Sequence, residues 1–262
     1  MNNSPIFKAP VYNNQLQYPI NYPMRIITIL LSLFISSTVL YAENNKSLSL
    51  AYLVREARIK STHPPLLLLL HGYGSNEADL FSFAPQLPDK FLVISAQAPN
   101  KLATNSYAWY PLNFEAGQPA FKVADFEKSR KQLLNFIEEL KKKYTIDTTQ
   151  IYLCGFSQGA VMSYAIALTQ PEIVKGIAVM SGRIPEELKP MVSKSSALKN
   201  VRLFISHGKN DPVINYATAL AAVDFLHTLG LIPLFKSYEA VHEINAAMFN
   251  DLLEWLNQSD KK

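Results

Sequence analysis

From residue 66 onward the chain alternates short, wholly apolar runs with longer stretches of helical period. Leu66–Leu70 is five consecutive leucines between Pro64-Pro65 and His71-Gly72. Leucine favours helix, but so short a segment, bounded by proline and glycine, predicts a strand buried on both faces. Phe91–Ser95, Ile151–Cys154, Val174–Met180, Val201–Ser206 and Leu234–Tyr238 read as further strands. Ser49–Val54 alternates loosely and predicts an early strand at a sheet edge. Helical patterns lie between. In Phe121–Lys143, Phe126, Leu133, Leu134, Ile137 and Leu140 recur at helical spacing, with charges on the opposite face. Gln158–Thr169 stops before Pro171, Tyr216–Leu229 stops at Gly230, and Ile244–Leu256 closes the chain as an amphipathic helix. Gly182–Asn200 is a long connection with room for a helical turn. Strands alternating with helices predict an α/β fold. Its central sheet is mainly parallel, covered by helices on both faces, with right-handed crossovers. No repeat or linker marks a second domain, so residues 43–262 are expected to form one.

The N-terminal part breaks this pattern. Residues 1–23 are rich in asparagine and proline without a sustained period, and are expected to be an unstructured leader or a gene-model artefact, with Met24 as the true start. Met24-Arg25 then opens an apolar stretch from Ile26 to Tyr41, followed by Ala42 and the polar Glu43-Asn44-Asn45. That stretch is short for a membrane span, which needs about 20 apolar residues. Residues 24–42 therefore read as a secretory signal peptide, giving an exported, periplasmic or secreted protein with no stable span after processing. The alternative is a membrane anchor through the same segment.

Composition narrows the function. Apolar residues make up 48 % and charged residues 18 %, which excludes a disordered chain. One cysteine, Cys154, excludes an internal disulfide or a cysteine metal cluster, and reads as a small buried hydrophobe. A net charge of +4 is too small to imply nucleic acid. Lys141, Lys142 and Lys143 read as a solvated helix end that complements the helix dipole. No histidine spacing or carboxylate cluster suggests a metal.

The candidate chemistry starts from Gly155-Phe156-Ser157-Gln158-Gly159. It follows a strand and precedes an apolar helix, the context in which G-x-S-x-G forms a nucleophile elbow. Ser157 would sit on a strained turn, with the helix N-terminus supplying partial positive charge where an oxyanion develops. The competing reading is an ordinary turn serine. Ser157 needs a base, and five histidines are available. His63 precedes the double proline and reads as a surface residue; His227 lies within a helix, solvated or packed. His71, His207 and His242 lie at strand ends, where catalysts gather in open α/β sheets. Chain order in this fold runs Ser, acid, His, which selects His242. Asp211, in the loop before Pro212, is the orienting acid; Asp224 is inside a helix and Asp147 precedes the serine strand. An oxyanion hole would use the backbone N–H groups of Gln158 and Tyr73, the latter in the loop His71-Gly72-Tyr73-Gly74 that His71 braces. Trp109-Tyr110 either walls a substrate pocket or belongs to the core.

The Leu-rich strand with His71-Gly72-Tyr73-Gly74-Ser75-Asn76-Glu77, Trp109-Tyr110, the serine pentapeptide, His207-Gly208 leading to Asp211-Pro212, and His242 together carry a resemblance. The chain resembles the phospholipase/carboxylesterase family of α/β-hydrolases, which includes acyl-protein thioesterases, over residues 50–257. The resemblance implies an α/β-hydrolase fold without a large cap and a serine hydrolase without cofactor. It implies a triad of Ser157, Asp211 and His242, with Tyr73 and Gln158 as oxyanion donors. Dimers are known in the group, so a homodimer is compatible with it. The expected function is a serine carboxylesterase acting on small-molecule esters through an acyl-enzyme. Acyl-thioesterase or lysophospholipase is the alternative, and an inactive binding module with this fold is the rival of another class. Usual members are cytosolic, so the apparent export segment weighs against a protein-deacylating role.

Overall fold

The computed structural model describes residues 48–115 and 118–258. The expectations for residues 1–23 and 24–42 lie outside the described residues.

Among the described residues the central sheet has seven strands. They are β1 (Tyr52–Arg55), β2 (Leu66–Leu70), β3 (Leu92–Ala96), β8 (Ile151–Phe156), β9 (Gly176–Met180), β10 (Arg202–Gly208) and β11 (Leu234–Tyr238). Their order is β1-β3-β2-β8-β9-β10-β11. β1 runs antiparallel to β3, and all other pairs are parallel. Two small hairpins stand outside the sheet: β4 (Asn100–Ala103) with β5 (Ser106–Ala108), and β6 (Asn113–Glu115) with β7 (Gln118–Ala120). The helices are α1 (Glu77–Phe81), α2 (Val123–Lys143), α3 (Gln158–Thr169), α4 (Tyr216–Thr228) and α5 (Ala246–Asn257). This is an α/β-hydrolase fold.

The leucine run explains the layering. Every residue of β2 is buried, because β3 and β8 cover its two edges and helices cover both faces. Leu66, Leu68 and Leu70 join the core with residues of α2, α3 and α4, whereas Leu67 and Leu69 join a second core with residues of α1 and α5. Side chains alternate across a strand, so one run of a single residue type serves two cores. α2 is amphipathic as its period requires, and its last turn carries Lys141, Lys142 and Lys143. α3 is different. Gln158 through Leu168 are all buried, so this helix is apolar around its circumference and sits inside the molecule.

The connections differ from expectation where strands or helices are short. Gly182–Asn200 contains two 3₁₀ turns, Glu186–Met191 and Ser196–Asn200. α1 and the two hairpins were not expected, for three to five residues hold too little of any period to register.

Candidate active site

Every loop of the site leaves the C-terminal end of a strand. β8 ends at Phe156 and α3 begins at Gln158, leaving Ser157 alone at the bend. Its backbone is forced to φ 53°, ψ −115°. That conformation costs a non-glycine residue on the order of 1–3 kcal/mol and is held only by its surroundings. Ser157 occupies the N-cap position, yet its side chain makes no capping bond. The hydroxyl instead faces His242, with Oγ 2.9 Å from Nε2.

His242 lies between β11 and α5. Its Nδ1 is 2.7 Å from Asp211 Oδ2. A carboxylate only accepts, so Nδ1 carries the proton and Nε2 is left free to accept from the Ser157 hydroxyl. The Phe156 ring packs against the imidazole at 4.9 Å between centroids. Asp211 is fixed from its other side. Its Oδ1 accepts the backbone N–H groups of Val213 and Ile214 at 2.8 and 2.9 Å. His207 sits behind it, wholly buried, with Nε2 2.8 Å from the Ile214 carbonyl and 3.3 Å from Asp211 Oδ2. The carboxylate is sealed from solvent while the His242 side chain keeps 15 % exposure, so only the imidazole meets incoming water.

Two N–H groups complete the arrangement. Gln158 is the first residue of α3, where an α-helix leaves its amides without internal acceptors. The loop after β2 supplies Tyr73, and that loop is tied to the β4–β5 hairpin by Gly74 N–H to Tyr107 O and Tyr107 N–H to Ser75 O, both 2.8 Å. Among the described residues neither the Tyr73 nor the Gln158 amide donates to a backbone acceptor.

His71 braces this loop from inside. Its Nε2 accepts the Ala98 N–H at 3.0 Å and its Nδ1 donates to Gly72 O at 2.7 Å. Burial pushes its imidazole below the ordinary value of 6.5, against a smaller opposing pull from the Gly72 carbonyl. The folded protein therefore binds fewer protons at His71 than the unfolded chain does. Its stability is fully present above pH 6.5 and declines as pH falls below that value. Urea midpoints measured from about pH 7 to about pH 5 are expected to fall, and His71→Gln is expected to flatten that slope. An unchanged slope in the variant refutes this.

A cavity of about 450 Å³ opens over Ser157. Tyr110 lines it, with Leu112, Val161, Arg183, Val213 and Ile214. Trp109 is not among its lining residues. Its ring is completely buried and its Nε1–H donates to the His71 carbonyl at 2.9 Å, so the paired-wall expectation is corrected to Tyr110 alone. The two residues lie at a bend just after β5, and of the two only Tyr110 lines the cavity. Burial pushes the Tyr110 phenol far up, so it stays a neutral donor. Cys154 is buried in β8, and burial pushes its thiol up to about 12. His63 and His227 are exposed and take no part. Among the described residues no cluster of three His, Cys, Asp or Glu side chains could hold a metal ion.

Sequence reasoning missed what the Gln158 side chain does. Its Oε1 accepts the Trp109 N–H at 2.8 Å, and its Nε2 donates to Tyr110 O at 2.7 Å. The residue after the serine thus clamps the segment that walls the cavity. Gln158→Ala leaves two buried backbone groups unpaired, and is expected to cost about 1–3 kcal/mol in denaturant unfolding. No measurable loss would refute the clamp. Arg183, Val213 and Ile214 were also missed, although each follows the C-terminal end of a strand.

A strained serine at a strand-to-helix bend, an imidazole on its hydroxyl and a buried carboxylate on the imidazole, set on this fold, define a serine hydrolase that acts on acyl groups. The phospholipase/carboxylesterase family model matches residues 55–260, and the chain belongs to that family. It is 30 % identical to Acyl-protein thioesterase 1 of Candida albicans over 215 residues, covering 75 % of this chain and 92 % of that protein. It is 30 % identical to the probable carboxylesterase SOBER1-like of Arabidopsis thaliana over 205 residues, covering 73 % and 78 %. Among solved structures, esterase PE8 superposes with a TM-score of 0.69 at 26 % identity, over 79 % of this chain and 97 % of that one.

Proposed function

We propose that this protein hydrolyses acyl thioesters, and oxygen esters with them, through an acyl-Ser157 intermediate. One observation carries the reading: the Ser157 hydroxyl gives up its capping bond and meets His242 Nε2 at 2.9 Å. Ser157 Oγ attacks the carbonyl carbon as its proton passes to His242. Asp211 holds the Nδ1–H and stabilises the imidazolium that forms. The tetrahedral oxyanion is received by the Tyr73 and Gln158 N–H groups, with the α3 N-terminus behind them. His242 then protonates the departing sulfur or oxygen. Water, deprotonated by the same Nε2, releases the carboxylic acid and restores Ser157.

The thioester reading draws support from several relatives that bear the name Acyl-protein thioesterase 1. The second reading, a carboxylesterase confined to oxygen esters, draws on relatives named carboxylesterase or esterase. Matched substrates separate the two. With one acyl chain presented on N-acetylcysteamine and on the corresponding alcohol, kcat/KM is expected to be higher for the thioester. Cleavage of the oxygen ester alone would leave the second reading. Hydrolysis of neither would reject both.

The location belongs to the same proposal. The apolar stretch of residues 26–41 would export the enzyme and separate it from cytosolic acylated proteins, leaving small acyl substrates. N-terminal sequencing of the native protein tests this, and a chain retaining that stretch in the cytosol would reject it. Among the described residues no helix is long and apolar enough to cross a membrane.

A further inference from the structure

The hydrolytic steps use one side of the cavity over Ser157 and leave Arg183 without a task. Arg183 lines that cavity together with Leu112, Val161, Val213 and Ile214, all apolar. It follows Gly182 past the end of β9, where Ser181 at φ 50° turns the chain over the top of the sheet. The side chain is half-buried. Its charge reaches the Tyr110 hydroxyl, where it opposes the upward push of burial. Tyr110 lines the same cavity. Glu187 acts on the same hydroxyl with the opposite sign, but it is exposed and does not come within ion-pair distance of Arg183. Among the described residues Arg183 makes no hydrogen bond and no ion pair.

A cation drawn partly out of water against apolar neighbours loses hydration that nothing inside the protein returns. Its planar fork of donors matches a carboxylate or a phosphate, in two parallel bonds. We propose that Arg183 binds an anionic group, carboxylate or phosphate, carried by the same molecule as the scissile acyl bond. The substrates are thus anionic esters and thioesters whose charge rests at the Arg183 wall while the carbonyl meets Ser157. This rests on the reading of Ser157, His242 and Asp211 as the acyl-transfer site. An ion pair remote from the reacting carbonyl holds ground state and transition state alike, so it acts on KM more than on kcat.

The test uses matched pairs. One is 4-nitrophenyl hemiglutarate against the neutral 4-nitrophenyl pentanoate. The other is lysophosphatidic acid against the monoacylglycerol of the same chain. In the wild-type protein the anionic member of one pair is expected to show kcat/KM about 10-fold higher or more, mainly through KM, and less so in added salt. The pair that responds tells a carboxylate from a phosphate. Arg183→Met removes the preference, raising KM for the anionic member far more than for the neutral one, and Arg183→Lys restores part of it. Equal rates within both pairs, or a preference that survives Arg183→Met, overturn the proposal. If no ester is cleaved, the acyl-hydrolase reading has failed and the anion site is read directly. Calorimetric titration of monomethyl glutarate and glycerol phosphate into wild-type and Arg183→Met proteins then decides. Binding lost in the variant upholds the site, and absent or unchanged binding overturns it.

Discussion

Ser157→Ala is expected to lower kcat by about 10⁵-fold while the protein stays folded. The alanine removes the attacking oxygen, and no other side chain can take its place. Among the described residues Ser157 is the one hydroxyl hydrogen-bonded to His242. The remaining activity is what the oxyanion donors and binding supply alone. Stability is expected to rise slightly or stay level, because alanine gives up a hydroxyl that capped nothing. Asp211→Asn gives a second, smaller result, a loss of about 10⁴-fold, since an amide can present its N–H to Nδ1 and stabilise the wrong tautomer. The assay is steady-state hydrolysis beside fluorophosphonate labelling. Labelling that persists in Ser157→Ala, or turnover within about 10-fold of wild type, would show that another residue is the nucleophile.

The second large effect is structural. Gly159→Ala is expected to destabilise the fold by more than about 4 kcal/mol, enough to leave little folded protein. A Cβ on Gly159 would stand 2.0 Å from the Leu70 carbonyl oxygen, 2.5 Å from its carbon and 2.7 Å from the His71 oxygen. These are backbone atoms of β2 and the loop after it, and they cannot rotate away. The bare glycine lets α3 lie against β2, bringing the first amide of the helix to the Tyr73 loop. Gly230→Ala is the control. Unlike Gly159, that residue has a left-handed backbone, φ 73°, but nothing lies within 4 Å, so only the backbone penalty of about 1–2 kcal/mol is expected. Denaturant midpoints for the two variants decide. A Gly159→Ala protein as stable as Gly230→Ala would mean that β2 and α3 can part without cost.

The site was legible where chemistry demands rare residue types in a fixed order, and opaque where it demands only shape. Ser157 stood out because two glycines flank it between an apolar strand and an apolar helix. His242 and Asp211 followed from chain order and strand ends. The apolar wall of Leu112, Val161, Val213 and Ile214 has no such signature, since these residues look like any others that fill a core. Trp109 illustrates the same limit: the sequence pairs it with Tyr110, and only the backbone decides which ring turns inward. The double role of Gln158 was hidden because its main-chain task already accounted for it. In the fold, the five leucines of β2 were readable because both faces are covered. The hairpins of residues 100–120 were not, for polar strands of three or four residues alternate too briefly to be recognised.

The burial of α3 from Gln158 to Leu168 bears on how this molecule would lose activity on heating. Its amides can reach deuterated solvent only when neighbouring layers separate, so they should be among the slowest to exchange. The nucleophile is fastened to that slow segment. His242 instead sits on the loop between β11 and α5, flanked by the exposed Val241 and Glu243, so its surroundings can open without the layers around α3 separating. Thermal inactivation should then begin as the imidazole drifts from a serine that has not yet moved.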